Sequence, residues 1–379
     1  MARRLLSKLE KDARRRIGWI TADNAGKVVT KDIYWTVAFL NMYLDRCDEL
    51  GMDRPSEGLA LALHAPNLSR LIGIGERPGE YRSPMEKASY EVLSLAVLGS
   101  LCRRAGRNDD AERNYSHAFD IVRKERIMPA VQAEILLRYG YFKTCLGSED
   151  AIEYLDRAVQ TGQEGGTNDS LAEALNARGH WYANRGEWES ANRDFSDALI
   201  FVNRKSSKGK RTAAAAIVNL AFTIASGSLD FDAQTRALEC IRRARGRIPR
   251  LTHIKCRLLW MEGIINRNLL FWRPAARLLI RARKGMLQLS EAADFVLVSL
   301  DLATVYYLEG ETEKYKRLQE STTAAFEEIA GDEENRRQLL EALNRWRELP
   351  IAEQTIQRVK TQVESYLQSQ YRHRKVQDE

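Results

Sequence analysis

A small residue returns along this chain at a nearly constant interval. Gly99, Gly140, Gly179, Ala221, Gly263 and Ala303 are separated by 41, 39, 42, 42 and 40 residues. Each lies in an apolar stretch and is followed by a second stretch with small residues flanking a large one. That second pattern reads Ala111, Tyr115, Ala118; Ala151, Leu155, Ala158; Ala191, Phe195, Ala198; and Ala275, Leu279, Ala282, with Ala233, Ala237 and Cys240 as a looser copy. Gly106, Gly147, Gly186 and Gly310 fall between the two stretches, where a first helix must end. A glycine or alanine on the first helix lets the second cross close to its backbone, and the large residue of the second helix fills the gap. One such pair cannot bury both of its faces. Pairs of this kind must therefore stack, and a continuous core runs through the stack.

The rest of the chain is compatible with long helices. Only eight of its 379 residues are proline, and proline interrupts helices by removing a donor and clashing with the preceding turn. No run of 18 apolar residues occurs, so no stable membrane insertion is expected. The basic start, MARRLLSKLEKDARRR, lacks the apolar region of a secretory signal. Cys47, Cys102, Cys145, Cys240 and Cys256 are dispersed and odd in number. They are expected to be buried small residues of a cytoplasmic protein, not a disulfide framework or zinc site.

Leu175, Gly179, Tyr182, Gly186, Trp188, Ala191, Phe195 and Ala198, and in a second copy Leu95, Leu98, Gly99, Gly106, Ala111, Tyr115 and Ala118, resemble the tetratricopeptide repeat. The resemblance covers roughly Ser89 to Thr322. It departs from the family in period, about 40 residues against a usual 34 or so, and is similar to the long-repeat variety of bacterial regulators and motor light chains. It implies an all-α fold, a right-handed α-solenoid of stacked antiparallel helix pairs. Residues 1–84 would form an N-terminal helical region with a divergent first pair, 85–325 an array of about six pairs, and 326–379 capping helices. Within the first region, Lys31 to Gly51 is expected to be a helix capped by Thr30 or Asp32, and Pro55 to Gly75 its partner. The last helix, from Ile351, reads as polar, either a solvating cap or a helix for a partner.

Nothing local suggests catalysis, a cofactor or a metal. His64, His117, His180, His253 and His373 are scattered, and neither SSKGKRT nor GIGERPG follows a strand, as a phosphate-binding loop would require. The expectation is a non-catalytic chain.

Two surfaces carry the functional expectation. By register, the first helices turn Leu137, Tyr141, Asn176, His180, Asn184, Val218, Asn219, Phe222, Arg257, Trp260, Ile264, Arg267, Leu300 and Tyr307 toward the inner face of the stack. Aromatic, amide and guanidinium groups there suit an extended or helical protein segment; the alternative is that some belong to the core. The family's carboxylate clamp is only partly echoed. Asn219 and Arg257 hold clamp-like slots, while Asn176 stands for the lysine and His180 for the asparagine, which argues against a chaperone-tail receptor.

The second surface is electrostatic. Between Arg204 and Lys284 there are 19 Lys and Arg against Asp230, Asp232, Glu239 and Glu262, a net of +15 in a chain whose total is +7, so the remainder is −8. Arg204, Lys205, Lys208, Lys210 and Arg211 are expected in an exposed loop, and Arg242, Arg243, Arg277, Arg281 and Lys284 on second helices. Such a ridge suits an acidic protein, or nucleic acid with steep salt dependence. A solvated face, or self-association with the acidic repeats, is the plain alternative. Leu5, Leu9, Ala13 and Ile17, set among arginines, suit a first-repeat cap, an anionic membrane surface or a partner's groove. Together these features lead to a protein-binding scaffold or regulatory adaptor, with nucleic-acid binding as the alternative.

Overall fold

The computed structural model describes residues 13, 17–18, 20–21, 24–29, 36–75, 79–203, 205–227, 230–245, 253–289, 292–329 and 333–372. Most of the basic N-terminal segment lies outside them. The described residues form no strand, only an isolated bridge between Ile74 and Tyr81. None of their helices is long and apolar enough to cross a membrane. The chain divides into two compact units, Met1–Thr144 with Ser148–Ala177, and Cys145–Gly147 with Arg178–Glu379.

The first unit holds α1 (Ala25–Val29), α2 (Val37–Asp53), α3 (Pro55–Ala62), α4 (Ala65–Leu71), α5 (Pro84–Arg104), α6 (Asn108–Lys124), α7 (Pro129–Cys145) and α8 (Ala151–Gly165), and the start of α9 (Asn168–Asn184). The cap of α2 is Thr36, whose hydroxyl accepts from the Phe39 amide at 3.1 Å; Thr30 and Asp32 lie outside the described residues. Its expected single partner is two short helices, α3 and α4. In α5 the Ser83 hydroxyl accepts from the Glu86 amide at 3.1 Å, while the Glu86 carboxylate accepts from the Arg82 amide at 2.6 Å. This reciprocal cap, with Pro84 at the first helical position, fixes where α5 begins.

The second unit holds the end of α9, then α10 (Trp188–Phe201), α11 (Ser207–Gly227), α12 (Phe231–Arg245), α13 (His253–Asn268), α14 (Trp272–Gln288), α15 (Ala292–Leu308), α16 (Thr312–Ile329), α17 (Glu333–Glu348) and α18 (Glu353–Arg372). Consecutive helices from α10 to α18 pack in pairs, and α18 also lies against α15. In both units the architecture is all-α, helix pairs stacked in chain order.

The small-residue column works by close approach. A methyl group added at Gly99 would meet the Tyr115 ring at 3.0 Å, at Gly140 the Leu155 side chain at 2.9 Å, at Gly179 the Phe195 ring at 2.7 Å, and at Gly263 the Leu279 side chain at 2.8 Å. Gly106, Gly147, Gly186 and Gly310 all adopt φ between +68° and +75° and turn the chain into its second helix. In the α13–α14 pair that position is Leu270, at φ +63°.

The α11–α12 pair departs from the expected register. Gln234, Leu238 and Ile241 are buried beside Ala237, Ala233 is half-buried and Cys240 is exposed. Gln234 replaces an alanine, and its side-chain amide donates to the Ile224 and Ala225 carbonyls at 3.4 Å, so the second helix is rotated by one residue. Cys47, Cys102 and Cys256 are buried thiols, whereas Cys145 is half-buried and Cys240 exposed.

Candidate functional site

The inner face is the side of each first helix turned away from its own second helix. Leu137, Val218, Ile264 and Leu300, expected to line it, are instead core residues. Stacking of adjacent first helices covers apolar positions at the edge of this face. In the first unit Tyr141 is half-buried under the Arg103 guanidinium, 5.0 Å from its ring centre, and Asn176 is half-buried.

In the second unit the end of α9 carries Asn184, exposed, and His180, half-buried, with Nδ2 and Nδ1 3.4 Å apart. On α11, Asn219 is half-buried and Phe222 is 42% exposed, its ring edge-on to Trp188 with centroids 6.5 Å apart. Tyr307 on α15 is also exposed. Arg257 on α13 is half-buried, and its Nε is enclosed without a hydrogen-bond partner. Burial alone would raise the Asp294 carboxyl. The bond from His253, at 3.0 Å, and the Arg257 charge outweigh it and hold that carboxyl below the usual range.

Trp260 and Arg267 do not face open solvent. Both reach Asp301 of α15, which is 1% exposed: the Trp260 indole N–H donates to Oδ2 at 2.7 Å and Arg267 Nη1 to Oδ1 at 3.0 Å. Lys360 of α18 adds a third bond, Nζ to Oδ1 at 2.9 Å. Burial would push the Asp301 carboxyl up, but the Lys360 and Arg267 charges and the bonds from Lys360 and Trp260 depress it below the usual range. No local motif announces this cluster, because Asp301 is 34, 41 and 59 residues from its partners.

The basic segment is organised differently from the expected loop. Lys208, Lys210 and Arg211 lie in the first turns of α11, because the Ser206 hydroxyl accepts from the Gly209 amide at 2.8 Å and starts the helix there. Lys205 and Lys210 are exposed, Lys208 and Arg211 half-buried; Arg204 and the Arg243 side chain lie outside the described residues. Arg242 leans 3.5 Å from the buried Glu262. On α14 the exposed Arg273, Arg277, Arg281 and Lys284 form one row, on a helix that contains no acid. The row runs for about 16 Å at 1.5 Å per residue. Arg283 points elsewhere: it donates to Ser299 Oγ at 2.9 Å and lies 4.6 Å from the Phe295 ring centre.

A second cluster missed by sequence reasoning lies in the first unit. Arg138 of α7 bonds Asp48 at 2.6 and 3.1 Å, Glu134 at 2.7 Å and Ser100 Oγ at 3.1 Å. Ser100 in turn lies 3.0 Å from the Tyr115 hydroxyl. Among the described residues no group of His, Cys, Asp and Glu is arranged to hold a metal.

No protein-family model matches this sequence, and no curated protein is similar to it. Solved structures are similar in fold. A Rap protein complexed with competence and sporulation factor superposes with a TM-score of 0.59 and 11% identity, over 88% of this chain and 89% of that one. The apo form of RapI gives 0.55 and 12%, over 86% of each chain. At such identities the likeness is one of fold, and this chain is an all-α solenoid protein with tetratricopeptide-like helix pairs.

Proposed function

We propose that this chain is a non-catalytic, cytoplasmic regulatory adaptor that holds a segment of a partner protein against the inner face of its helix pairs. Phe222 carries the reading: a large aromatic is 42% exposed on a helix whose other side is buried. His180, Asn184 and Asn219 supply imidazole and amide groups on the first helices of the same unit. An aromatic anchor with adaptable polar neighbours suits recognition of a peptide or helix. One structure of similar fold was solved with competence and sporulation factor bound; that is a property of that protein, and it supports the reading by analogy of fold alone. In this reading the row on α14 orients an acidic partner and raises its rate of encounter.

A second reading, nucleic-acid binding, draws on the same row. Arg273, Arg277, Arg281 and Lys284 have no acid on their own helix to neutralise them, and cations one turn apart match a phosphate backbone in charge.

The test is capture from the native organism's lysate at moderate salt, with and without nuclease. Wild type is compared with Phe222→Glu and with Arg277→Glu/Arg281→Glu/Lys284→Glu. One stoichiometric protein that survives nuclease and is lost with Phe222→Glu supports the adaptor. Nucleic acid alone, released by salt and lost in the triple variant, overturns it in favour of the second reading.

A further inference from the structure

The last helix, α18, packs against α15, the first helix of the preceding pair. Leu300 of α15, expected on the inner face, is buried, and Ile356, Val359 and Val363 of α18 belong to the same core cluster. These three side chains follow an i, i+3, i+7 pattern, the spacing by which an amphipathic helix seats in a groove. Lys360, between the second and third anchors, reaches Asp301 at 2.9 Å.

We propose that this face of α13 and α15 is a binding site for an amphipathic helix carrying a central lysine or arginine, and that α18 fills it in cis until a partner helix replaces it. The inference rests on reading the inner face as a protein-binding surface, and it specifies the partner's chemistry.

Charge balance favours exchange over permanent closure. Without α18, Asp301 keeps Arg267 as a one-to-one counter-charge and the Trp260 N–H as a donor. The helix carries Glu353 and Glu364 against Arg358, Lys360 and Arg372, a net of +1, and of these Lys360 bonds Asp301, whose charge Arg267 alone already matches. Its departure leaves no buried charge without a counter-charge. A partner without a cation forfeits the bond to Asp301. A partner without apolar anchors cannot take the place of Ile356, Val359 and Val363 in the core cluster, so both features are required. The connection to α17, residues 349–352, contains Pro350 and no helix, so α18 can leave without unwinding its neighbour.

The test uses the full chain with a protease site placed in residues 349–352. After cleavage, a fluorescent synthetic peptide of residues 353–372 is titrated while the helicity of the body is followed. The cleaved chain should take up one peptide per molecule and exchange its own fragment, whereas the uncut chain binds the peptide at least about tenfold more weakly. The Lys360→Glu peptide should bind the cleaved chain about tenfold or more weakly than the parent, the scale of a lost charged hydrogen bond. In the uncut chain, amide exchange in α18 should be faster than in α15 and α16. Retention of the fragment until the body melts, equal binding of the two peptides, or equal amide protection of α18 and α15 would each overturn the proposal. No partner protein takes part in these measurements, so they succeed or fail independently of the capture experiment.

Discussion

Arg138 holds Asp48 through two hydrogen bonds, 2.6 and 3.1 Å, across ninety residues of chain. The same guanidinium bonds Glu134 at 2.7 Å, so one cation satisfies two carboxylates that would otherwise repel each other in a largely enclosed site. Their charges raise the Arg138 pKa well above its ordinary value despite burial. Removing one partner of a buried pair typically costs about 3–5 kcal/mol. Arg138→Leu should therefore lower unfolding free energy by about 3 kcal/mol in urea titration, and Arg138→Lys should recover only part of it because an ammonium cannot form the fork. A loss below about 1 kcal/mol would mean that solvent already satisfies these groups.

Leu270 is a site of stored strain. It is 67% exposed, at φ +63°, in the turn where four other repeats use glycine. A left-handed conformation costs a non-glycine residue about 1–2 kcal/mol, and an exposed leucine gains little packing in return. Leu270→Gly should raise the thermal midpoint, and Gly186→Leu should lower it. If Leu270→Gly lowers the midpoint, the leucine is making a contact worth more than its strain.

Close approach at Gly179 sets up a competition. Alanine in place of a mid-helix glycine gains up to about 1 kcal/mol in helix propensity. Its methyl group would, however, lie 2.7 Å from the Phe195 ring, and overpacking typically costs about 1–3 kcal/mol. Gly179→Ala should be net destabilising, and Phe195→Leu in the same chain should recover part of the loss. Equal losses with phenylalanine and leucine at position 195 would place the strain elsewhere.

Asp301 makes stability depend on pH only at the acid end. Its folded pKa lies below that of the unfolded chain, about 3.9 for a free aspartate. Its contribution is therefore complete above that value and is lost as pH falls through the depressed folded value. Asp301→Asn should cost about 3–5 kcal/mol at neutral pH. The gap between variant and wild type should stay constant down to about pH 5 and narrow below about pH 4. A gap that narrows around pH 6 to 7 would assign the dependence to a different group.

Several features were legible because their cause is local. The repeat interval, the small residues at helix crossings and the turn glycines all reflect one helix, one turn and the next helix, within about 25 residues of sequence. Exposure of Phe222, Tyr307, Arg277, Arg281 and Lys284 agrees with helical register, whereas the same register put Leu137, Val218, Trp260, Ile264 and Leu300, which are buried, on the inner face. Two local readings failed for local reasons. Ser206 starts a helix in the expected basic loop, and Gln234 makes its own bonds to the end of α11. Leu270 hides its backbone conformation because a leucine in a sequence does not announce a positive φ.

By itself, then, the sequence determined that helices pair and stack at a 40-residue interval, because a missing side chain at a crossing is written as a glycine or alanine. Tertiary structure alone decided which charges meet and which helix packs against α15. Lys360 reaches Asp301 across 59 residues, and Trp260 and Arg267 are drawn to the same carboxylate instead of to solvent. The physical reason is that a buried charge selects its partner by proximity in the packed stack. The spacing of residues along the chain carries no record of that distance.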